Sequence, residues 1–393
     1  MSPDMLPMAY PPATLAAPLV LANARLVLPE EVVHGWLAVA DGRILAQGEG
    51  HAPEAGLDLC GDYLLPGLVE LHTDHLESHV QPRPKVRWDL LGAVLAYDAQ
   101  IAAAGITTVF DSLRAGLDDG GGGLGSEVHD IAAVLDKARH RDLFRAEHLV
   151  HIRCEVPAPG VVEAVEQLAQ QVPIGLMSLM DHTPGQRQFR NMERYYLYAA
   201  RYGGLRHELE MRARDKIRVA AERNALNRPA LIAMAHEMGI PLASHDDTTV
   251  ADVEQSVREG VALAEFPTTV EAAEACRDCG ISVMMGAPNM IRGGSHSGNV
   301  SAQALVEAGL LDMLSSDYVP ASLLLAAFRL PGLVPGISLP RAVAMVTSAP
   351  ARATGLSDRG ALRPGLRADL VRVRLSGDVP VVRQVWRAGE RVA

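Results

Sequence analysis

The segment LLPGLVELHTD, residues 64–74, decides the fold. Its apolar run is typical of a buried strand, and this strand ends in a His-Thr-Asp triplet. Side chains at positions i and i+2 of a strand point to the same side, so His72 and Asp74 are expected to present two metal ligands together. The triplet alone is weak evidence, because such short patterns often occur by chance.

Similar apolar segments recur along the middle of the chain, and helical stretches such as residues 125–140 separate most of them. Short strands that alternate with amphipathic helices are the signature of βα units around a parallel sheet. The sequence therefore predicts an α/β fold, a (β/α)8 TIM-type barrel. Its eight strands are predicted at residues 67–74, 106–112, 148–155, 174–182, 241–247, 262–268, 281–289 and 312–318.

All eight predicted strands end in polar residues with chemical capability. In a TIM barrel the C-terminal ends of the strands form the active-site face. A polar terminus on every strand is hard to attribute to chance, so these residues are the candidates for a site. They are His72 and Asp74, Asp111, Glu155, Asp181 and His182, His245 and Asp246, Glu265, Asn289, and Asp317.

The two ends of the chain differ from its middle, because both consist of short strands joined by turns. Asp41-Gly42 is a hairpin signal near the N-terminal end, and Ala388-Gly389 marks a turn near the other. We predict that residues 1–66 and 351–393 pair with each other as a small split β-sandwich module. Residues 67–350 would then form the barrel, which needs roughly 250 residues.

Composition excludes several classes of function. The net charge is −11, so no global basic field exists for nucleic acid or for a membrane surface. No apolar run approaches the length of a membrane span, and four cysteines are too few for a disulfide framework in 393 residues. We expect a cytoplasmic protein with a small-molecule partner, no nucleic acid and no membrane; a homo-oligomer is left open.

The entry to the first strand resembles that of the amidohydrolase superfamily. That superfamily usually has His-x-His here, a carboxylate or carbamylated lysine bridge on a middle strand, a histidine on each of two later strands, and an aspartate on the last. Asp74 departs from this pattern, which leaves the metal's identity open among Zn, Mn, Fe and Ni, as one or two divalent ions. The resemblance implies metal ligation by His72, Asp74, Glu155, His182, His245 and Asp317.

The bridging group can also be considered from the residues themselves. The chain has only three lysines, Lys85, Lys137 and Lys216, and none ends a predicted strand. A carbamylated lysine is therefore improbable, and Glu155 at a strand end is favoured as the bridge. The alternative for Glu155 is an ion pair with Arg153, two residues before it.

His182 and His245 could each be structural, hydrogen-bonded histidines. Their places at successive strand ends, with the His-x-Asp triplet upstream and Asp317 downstream, favour metal ligation instead. His75, His79 and His296 lie near the same face and could replace one of them.

Three segments after predicted strands have the character of anion sites. The last, residues 292–299, combines glycines, which let backbone N–H groups approach a ligand, with serine hydroxyls and a following helix. TIM barrels often bind phosphate near strands 7 and 8. The candidate substrate contacts are Arg83, Lys85, Gln186, Arg187, Arg292, Gly293, Gly294, Ser295, His296 and Ser297.

The connection at residues 183–228 is too long for a simple βα loop. It holds eleven Arg and Lys residues against five acids, a net charge of 11 − 5 = +6. Most of these cations are expected on a solvated helix face, and Arg187, nearest to the strand end, is favoured for substrate contact. A metal with several arginines implies a polyphosphorylated substrate.

A narrower resemblance covers about residues 18–393. The segments HTDH, PRPK, RAEH, SLMDHTPGQRQF, ASHDD, AEFPTT, MGAPN, RGGSHSGNV, LSSDY and PASLL occur in this order. They resemble the phosphonate-metabolism branch of the superfamily, the PhnM family of α-D-ribose 1-methylphosphonate 5-triphosphate diphosphatases. The resemblance implies hydrolysis of the 5-triphosphate to a 5-phosphate and diphosphate in the carbon–phosphorus lyase pathway.

The expected mechanism is in-line attack of an activated water on the α-phosphorus, with Asp317 as the catalytic proton acceptor. Arg187, Arg292 and the loop 293–297 would neutralise charge on the leaving diphosphate. Two alternatives stay open: an amidohydrolase that acts on a C–N bond, as a deacetylase or cyclic amidase, and a non-catalytic barrel scaffold.

Overall fold

The computed structural model of the protein describes residues 18–116, 127–200, 203–295 and 298–393. Eight parallel strands occupy the segments predicted for the barrel, and they are neighbours in sequence order. Each predicted strand is therefore found, with boundaries shifted by a few residues. The strands are β6 Leu68–Thr73, β7 Ile106–Ala115, β8 Glu147–Glu155, β9 Ile174–Met180, β10 Leu242–His245, β11 Leu263–Glu265, β12 Ser282–Gly286 and β13 Met313–Ser315.

The barrel closes between its first and last strands. Thr73 and Asp317 form a parallel bridge, and the Asp317 amide donates to the His72 carbonyl at 3.1 Å. The buried Glu70 carboxylate accepts from the His72 amide at 2.6 Å and from the Ser316 amide at 2.5 Å. These bonds complete the ring, so the predicted TIM-type barrel is confirmed.

Two strand ends differ from the expectation. A register shift in β6 between Glu70 and Thr73 interrupts the regular alternation of side chains, and the strand ends before Asp74. The simple i, i+2 argument for His72 and Asp74 therefore does not apply. The strand predicted to end at Asn289 stops at Gly286, because Pro288 lies in the first turn of a helix that begins at Ala287.

Thirteen helices lie in the described residues, most of them between the barrel strands. The buried faces of most of these helices join the apolar cluster that packs around the barrel. They are α1 Leu76–Val80, α2 Leu90–Ala103, α3 Val128–His140, α4 Val161–Gln171, α5 Met192–Ala199, α6 Arg206–Met238, α7 Val250–Arg258, α8 Val270–Asp278, α9 Ala287–Arg292, α10 Ala302–Glu307, α11 Ser322–Leu333, α12 Leu339–Ala344 and α13 Ser348–Ala353.

The long connection after β9 forms α5 and α6. Helix α6 has 33 residues and ends at Gly239, which adopts the left-handed conformation (φ +66°) that favours glycine at a helix C-terminus. The helix is therefore about 50 Å long at 1.5 Å per residue.

The two chain ends form one mixed sheet, as predicted for a module built from both. Strand β14 pairs antiparallel with β5 and so joins the C-terminal segment to the N-terminal one. The sheet covers a buried cluster that includes Leu21, Leu37, Leu64 and Trp386. Its strands are β1 Leu19–Val27, β2 Val32–Ala40, β3 Arg43–Glu49, β4 Leu57–Asp58, β5 Tyr63–Pro66, β14 Leu370–Ser376, β15 Val379–Arg387 and β16 Glu390–Arg391.

Among the described helices, none has both the length and the apolar character that a membrane crossing requires.

Candidate metal centre

Two buried histidines on opposite parts of the barrel share one carboxylate. His72 lies near the end of β6 and His245 ends β10. The Nδ1 atoms of His72 and His245 each lie 3.0 Å from an oxygen of Glu265, the last residue of β11. A carboxylate on Nδ1 fixes the tautomer and ring orientation and leaves Nε2 for a metal ion.

A third histidine follows β9 and has its own carboxylate. His182 Nδ1 lies 2.6 Å from Glu155 Oε2, and the His182 amide donates to Glu155 Oε1 at 2.9 Å. The Arg114 guanidinium also donates to Oε2, at 2.8 Å. Burial favours a raised pKa for Glu155, but the His182 ring and Arg114 outweigh it and hold that pKa below its ordinary value. Glu155 is therefore ionised, with donors on both oxygens.

The free ring nitrogens of two histidines converge on Asp246. Asp246 Oδ2 lies 3.5 Å from His245 Nε2 and 3.9 Å from His182 Nε2. This oxygen is buried and has no hydrogen-bond partner among the described residues. A buried carboxylate oxygen without a donor is costly, and a cation between it and the two ring nitrogens would satisfy it.

The protonation states also suit a metal ion. Burial lowers the pKa of His245 to about 3 and holds that of His72 well below its ordinary value, so both rings are neutral at pH 7. Neutral imidazole and carboxylate are the forms that bind divalent metals. Within the described residues, His182, His245 and Asp246 form one group able to hold a metal, and His72, His245 and Glu265 form another.

Asp317 lies at the mouth of the barrel, two residues after β13. Burial, together with the negative charges of Asp74 and Asp246, raises the pKa of Asp317 to about 7 against the opposing effect of Arg153. A carboxylate that titrates near neutral pH can accept a proton in one step and release it in the next. A pKa near neutrality suits the proton-transfer role predicted for Asp317.

Asp74 is only partly buried. Its Oδ2 lies 3.9 Å from Arg153 Nη1, and about a third of its side chain is exposed. The sequence alternative that paired Arg153 with Glu155 is not what the structure shows, since Arg114 takes that place. Asp74 belongs to neither of the two candidate metal groups.

Arg187 occupies a different environment from the one expected of a substrate contact. The side chain is buried, and its Nη1 donates to the Asp247 carboxylate and to the His245 carbonyl, the latter at 3.0 Å. Both bonds hold the segment that carries His245 and Asp246. In this structure Arg187 positions that segment.

The other predicted substrate contacts lie at the surface or the rim. Arg83, Lys85 and Gln186 are exposed, and Arg292 Nη1 lies 3.5 Å from the hydroxyl of Tyr318, the residue after Asp317. Gly293 ends helix α9 and Gly294 and Ser295 follow it, whereas the next helix begins only at Ala302. The glycines therefore follow a helix C-terminus rather than lead directly into an N-terminus. His296 and Ser297 lie outside the described residues.

A cleft of about 250 Å³ opens beside this centre. Glu155 and His182 line one side, and the side chains of Arg212, Lys216 and Arg223 from α6 line the other. The sequence predicts a solvated face for most of the cations of residues 183–228. Helical periodicity does not show which neighbouring element a helix packs against, so the position of these three cations at the cleft could not be predicted.

Two residues of the centre were noted only as polar strand ends. Glu265 and Asp246 are absent from the predicted ligand set, although each ends or follows a barrel strand. The signal that would have found them is the same one that found His245, since all three meet at the C-terminal edge of the sheet.

Comparison with known proteins identifies a matching family model and several similar proteins. The model described as "Amidohydrolase family" matches residues 90–393. An α-D-ribose 1-methylphosphonate 5-triphosphate diphosphatase from Escherichia coli (strain K12) is 45% identical and covers 95% of this chain and 100% of its own. An adenine deaminase from Nitratidesulfovibrio vulgaris (strain DP4) is 28% identical over 95% of this chain and 57% of its own.

The fold also matches solved structures. N-acetyl-D-glucosamine-6-phosphate deacetylase from Mycobacterium smegmatis superposes with a TM-score of 0.63 at 18% identity, over 95% of this chain and 100% of its own. This chain belongs to the amidohydrolase family, and the resemblance stated from its sequence motifs is confirmed. It is a hydrolase of the branch that includes the Escherichia coli diphosphatase.

Proposed function

We propose that this chain hydrolyses α-D-ribose 1-methylphosphonate 5-triphosphate to the 5-phosphate and diphosphate, as a step of phosphonate catabolism in the carbon–phosphorus lyase pathway. The observation that carries the proposal is the 45% identity to the Escherichia coli diphosphatase along its whole length. The carboxylate-braced histidines at the barrel mouth support a metal-dependent hydrolysis.

The metal would be held by His72, His182, His245, Asp246 and Asp317. When bound, one or two divalent ions supply a water of lowered pKa and neutralise charge on the phosphates. Glu265 holds the rings of His72 and His245, and Arg187 holds the His245 backbone. Asp74 and Glu155 stay proposed ligands as well, and Glu155 would have to exchange one of its present donors. The metal itself, among Zn, Mn, Fe and Ni, stays open.

The chemical step is a displacement at the α-phosphorus. The oxygen of a water forms a bond to that phosphorus, the bond to the bridging oxygen breaks, and diphosphate leaves. Asp317 accepts the proton of the attacking water and then releases it, which suits its raised pKa of about 7. Arg83, Lys85, Gln186, Arg187, Arg292 and the loop 293–297 stay proposed contacts for the phosphonate, the ribose or the phosphates. Arg187 would have to exchange its present bond to Asp247 for one to the substrate.

Hydrolysis of a C–N bond is the competing activity, because the adenine deaminase relative also spans the barrel. A product assay separates the two. Metal-supplemented protein is offered the ribose triphosphate, nucleoside triphosphates and adenine, and diphosphate, orthophosphate and ammonia are measured. Metal-dependent diphosphate release from the ribose triphosphate supports the proposal, and ammonia as the only product would replace it by deamination.

The remaining expectations extend this proposal. The partner is a small phosphorylated sugar, and a cytoplasmic location suits a substrate of intermediary metabolism. Neither a nucleic acid nor a membrane is part of the proposed reaction, and a homo-oligomer is left open. The division into a module of residues 1–66 and 351–393 and a barrel of residues 67–350 also stays a proposal.

A further inference from the structure

One face of helix α6 contributes three cationic residues to the cleft beside the candidate metal centre. Arg212, Lys216, Val219 and Arg223 are spaced four, three and four residues apart, so they form a single stripe along the helix. All four line the cleft that Glu155 and His182 line from the barrel side. The stripe therefore shares one cleft with Glu155 and His182 at the edge of the metal centre.

The same helix is fixed to the barrel mouth just beyond the stripe. Asn227 donates to the carbonyls of Val156 and Ala158 at 2.8 and 3.1 Å, and Asn224 donates to Asp181 at 2.7 Å. Arg223 Nη1 donates to the Pro157 carbonyl at 3.3 Å. These bonds set the distance between the helix and the strand ends, so the cleft is a built feature of the fold.

The lining of the cleft favours an anion. It contains three cations, Arg212, Lys216 and Arg223, against two carboxylates, Glu155 and Asp215. Glu155 is already paired with Arg114 and His182. Asp215 lies 3.7 Å from Arg218, one helical turn along the surface. The residues that line the cleft therefore carry more positive than negative charges.

We propose that Arg212, Lys216 and Arg223 bind the two terminal phosphates of the substrate, those that leave as diphosphate. This inference rests on the proposed function. It assigns the direction of the triphosphate in the site, from the α-phosphate at the metal centre to the terminal phosphate at α6. His182 borders both the metal centre and the cleft. With the α-phosphorus at the metal centre, the chain of phosphates extends past His182 to the α6 stripe. Guanidinium and ammonium groups there form charge-assisted hydrogen bonds that strengthen as the leaving group gains charge.

Binding of inorganic tripolyphosphate tests this assignment without turnover of the sugar. Calorimetry on the full-length protein, with divalent ion in excess, compares wild type with Arg212→Gln, Lys216→Gln and Arg223→Gln. Each variant is expected to bind tripolyphosphate about tenfold more weakly, the effect of one lost charge-assisted bond. The affinity of wild type is expected to fall with added salt more steeply than that of the variants.

Arg214→Gln is the matched control, because it removes the same charge from an exposed position of the same helix that does not line the cleft. It is expected to bind like wild type, whereas Asp215→Asn, which removes a carboxylate from the cleft, is expected to bind more tightly. Equal losses in Arg214→Gln and the three cleft variants would overturn the inference, as would no loss in any of them. Weakened tripolyphosphate binding in a protein that releases no diphosphate from the ribose triphosphate would refute the proposed function but leave the anion site standing.

Discussion

Glu265 is the residue that ties two metal-competent histidines together. One oxygen of Glu265 lies 3.0 Å from Nδ1 of His72 on β6, and the other lies 3.0 Å from Nδ1 of His245 on β10. The carboxylate is fully buried, so an unpaired charge there would be costly. The two rings are consequently held in one tautomer before any metal arrives.

Glu265→Gln is expected to lower metal affinity by about 10- to 100-fold, the usual effect of losing such an outer partner. The amide has one acceptor oxygen and one donor nitrogen, so it can serve only one of the two Nδ1–H groups. Metal titration followed by elemental analysis measures the change. Glu271→Gln, at an exposed site in the first turn of α8, is the control, and equal affinities of the two variants would contradict the role.

Asp317 is expected to act on protons rather than on the fold. Asp317→Asn keeps the size of the side chain and one oxygen that can still ligate a metal ion, but it removes the carboxylate that accepts the proton. Turnover should therefore fall to background, while thermal stability and metal content stay near those of wild type because the other proposed ligands remain. Turnover and metal content are measured on the same preparation. Near-normal turnover in this variant would exclude Asp317 as the proton acceptor.

Sequence alone predicts the site residues whose position follows from the strand pattern. His72, His182, His245 and Asp317 come together because parallel strands end at one edge. The burial of Arg187 against Asp247 could not be predicted, because it depends on a turn that no periodicity reveals. The pairing of Glu155 with Arg114 likewise depends on the register between β7 and β8, which is a tertiary property.

At the scale of elements, the hydrogen bonds that close the barrel are the same ones that hold the site residues His72 and Asp317 in position. Glu70 on β6 accepts the amides of His72 and Ser316, and Thr73 Oγ1 donates to the Asp317 carbonyl at 2.8 Å. A single isolated bridge, Thr73 with Asp317, pairs the backbone of β6 with the segment after β13. The side-chain hydrogen bonds of Glu70 and Thr73 therefore contribute much of the contact between these two strands. The residues that hold His72 and Asp317 in place therefore also close the sheet.

A second buried network joins α2 to β7 and β8. His148 lies 2.8 Å from Asp111 and 3.2 Å from Asp98, and Asp98 also accepts the amides of Arg145 and Ala146. Burial alone would lower the pKa of His148, but the two carboxylates outweigh it and raise that pKa to about 9. The ring is therefore charged in the folded protein at pH 7.

This network predicts a pH dependence of stability. Because the folded pKa of about 9 exceeds the unfolded value of 6.5, the stabilisation is fully present below pH 6.5 and is lost as pH rises through 9. The loss amounts to about 3 kcal/mol of unfolding free energy. Denaturant unfolding between pH 6 and pH 10 measures it, with His148→Gln as the comparison. The decline should be missing from the variant, and parallel profiles would contradict the assignment.

At the scale of the molecule, the sheet built from both chain ends is joined to the barrel by a shared carboxylate. Glu147, the first residue of β8, accepts from the guanidinium groups of Arg359 and Arg367, and Arg367 also pairs with Asp369. Both guanidinium groups are largely buried, whereas about a third of the Glu147 side chain is exposed. Loss of the carboxylate would leave two mostly buried positive charges without this partner. The sheet built from both chain ends is thus attached at the N-terminal end of a barrel strand, whereas the site lies at the C-terminal ends of the strands.

Alternating apolar segments were enough to predict eight strands, the barrel and the joining of the two ends. The extent of α6 and the direction of its cationic face could not be predicted, because both depend on contacts of Asn224 and Asn227 with the barrel mouth. The sequence shows that residues 183–228 are rich in arginine, but it does not show which face of α6 meets the barrel.

The central claim is that this site hydrolyses a triphosphate at its α-phosphorus. The most direct measurement is a single reaction of the metal-loaded protein with α-D-ribose 1-methylphosphonate 5-triphosphate in ¹⁸O-labelled water, with products identified by mass spectrometry and phosphorus NMR. The account predicts unlabelled diphosphate and a 5-phosphate that carries one ¹⁸O atom. Label in the diphosphate, or release of orthophosphate instead, would contradict it.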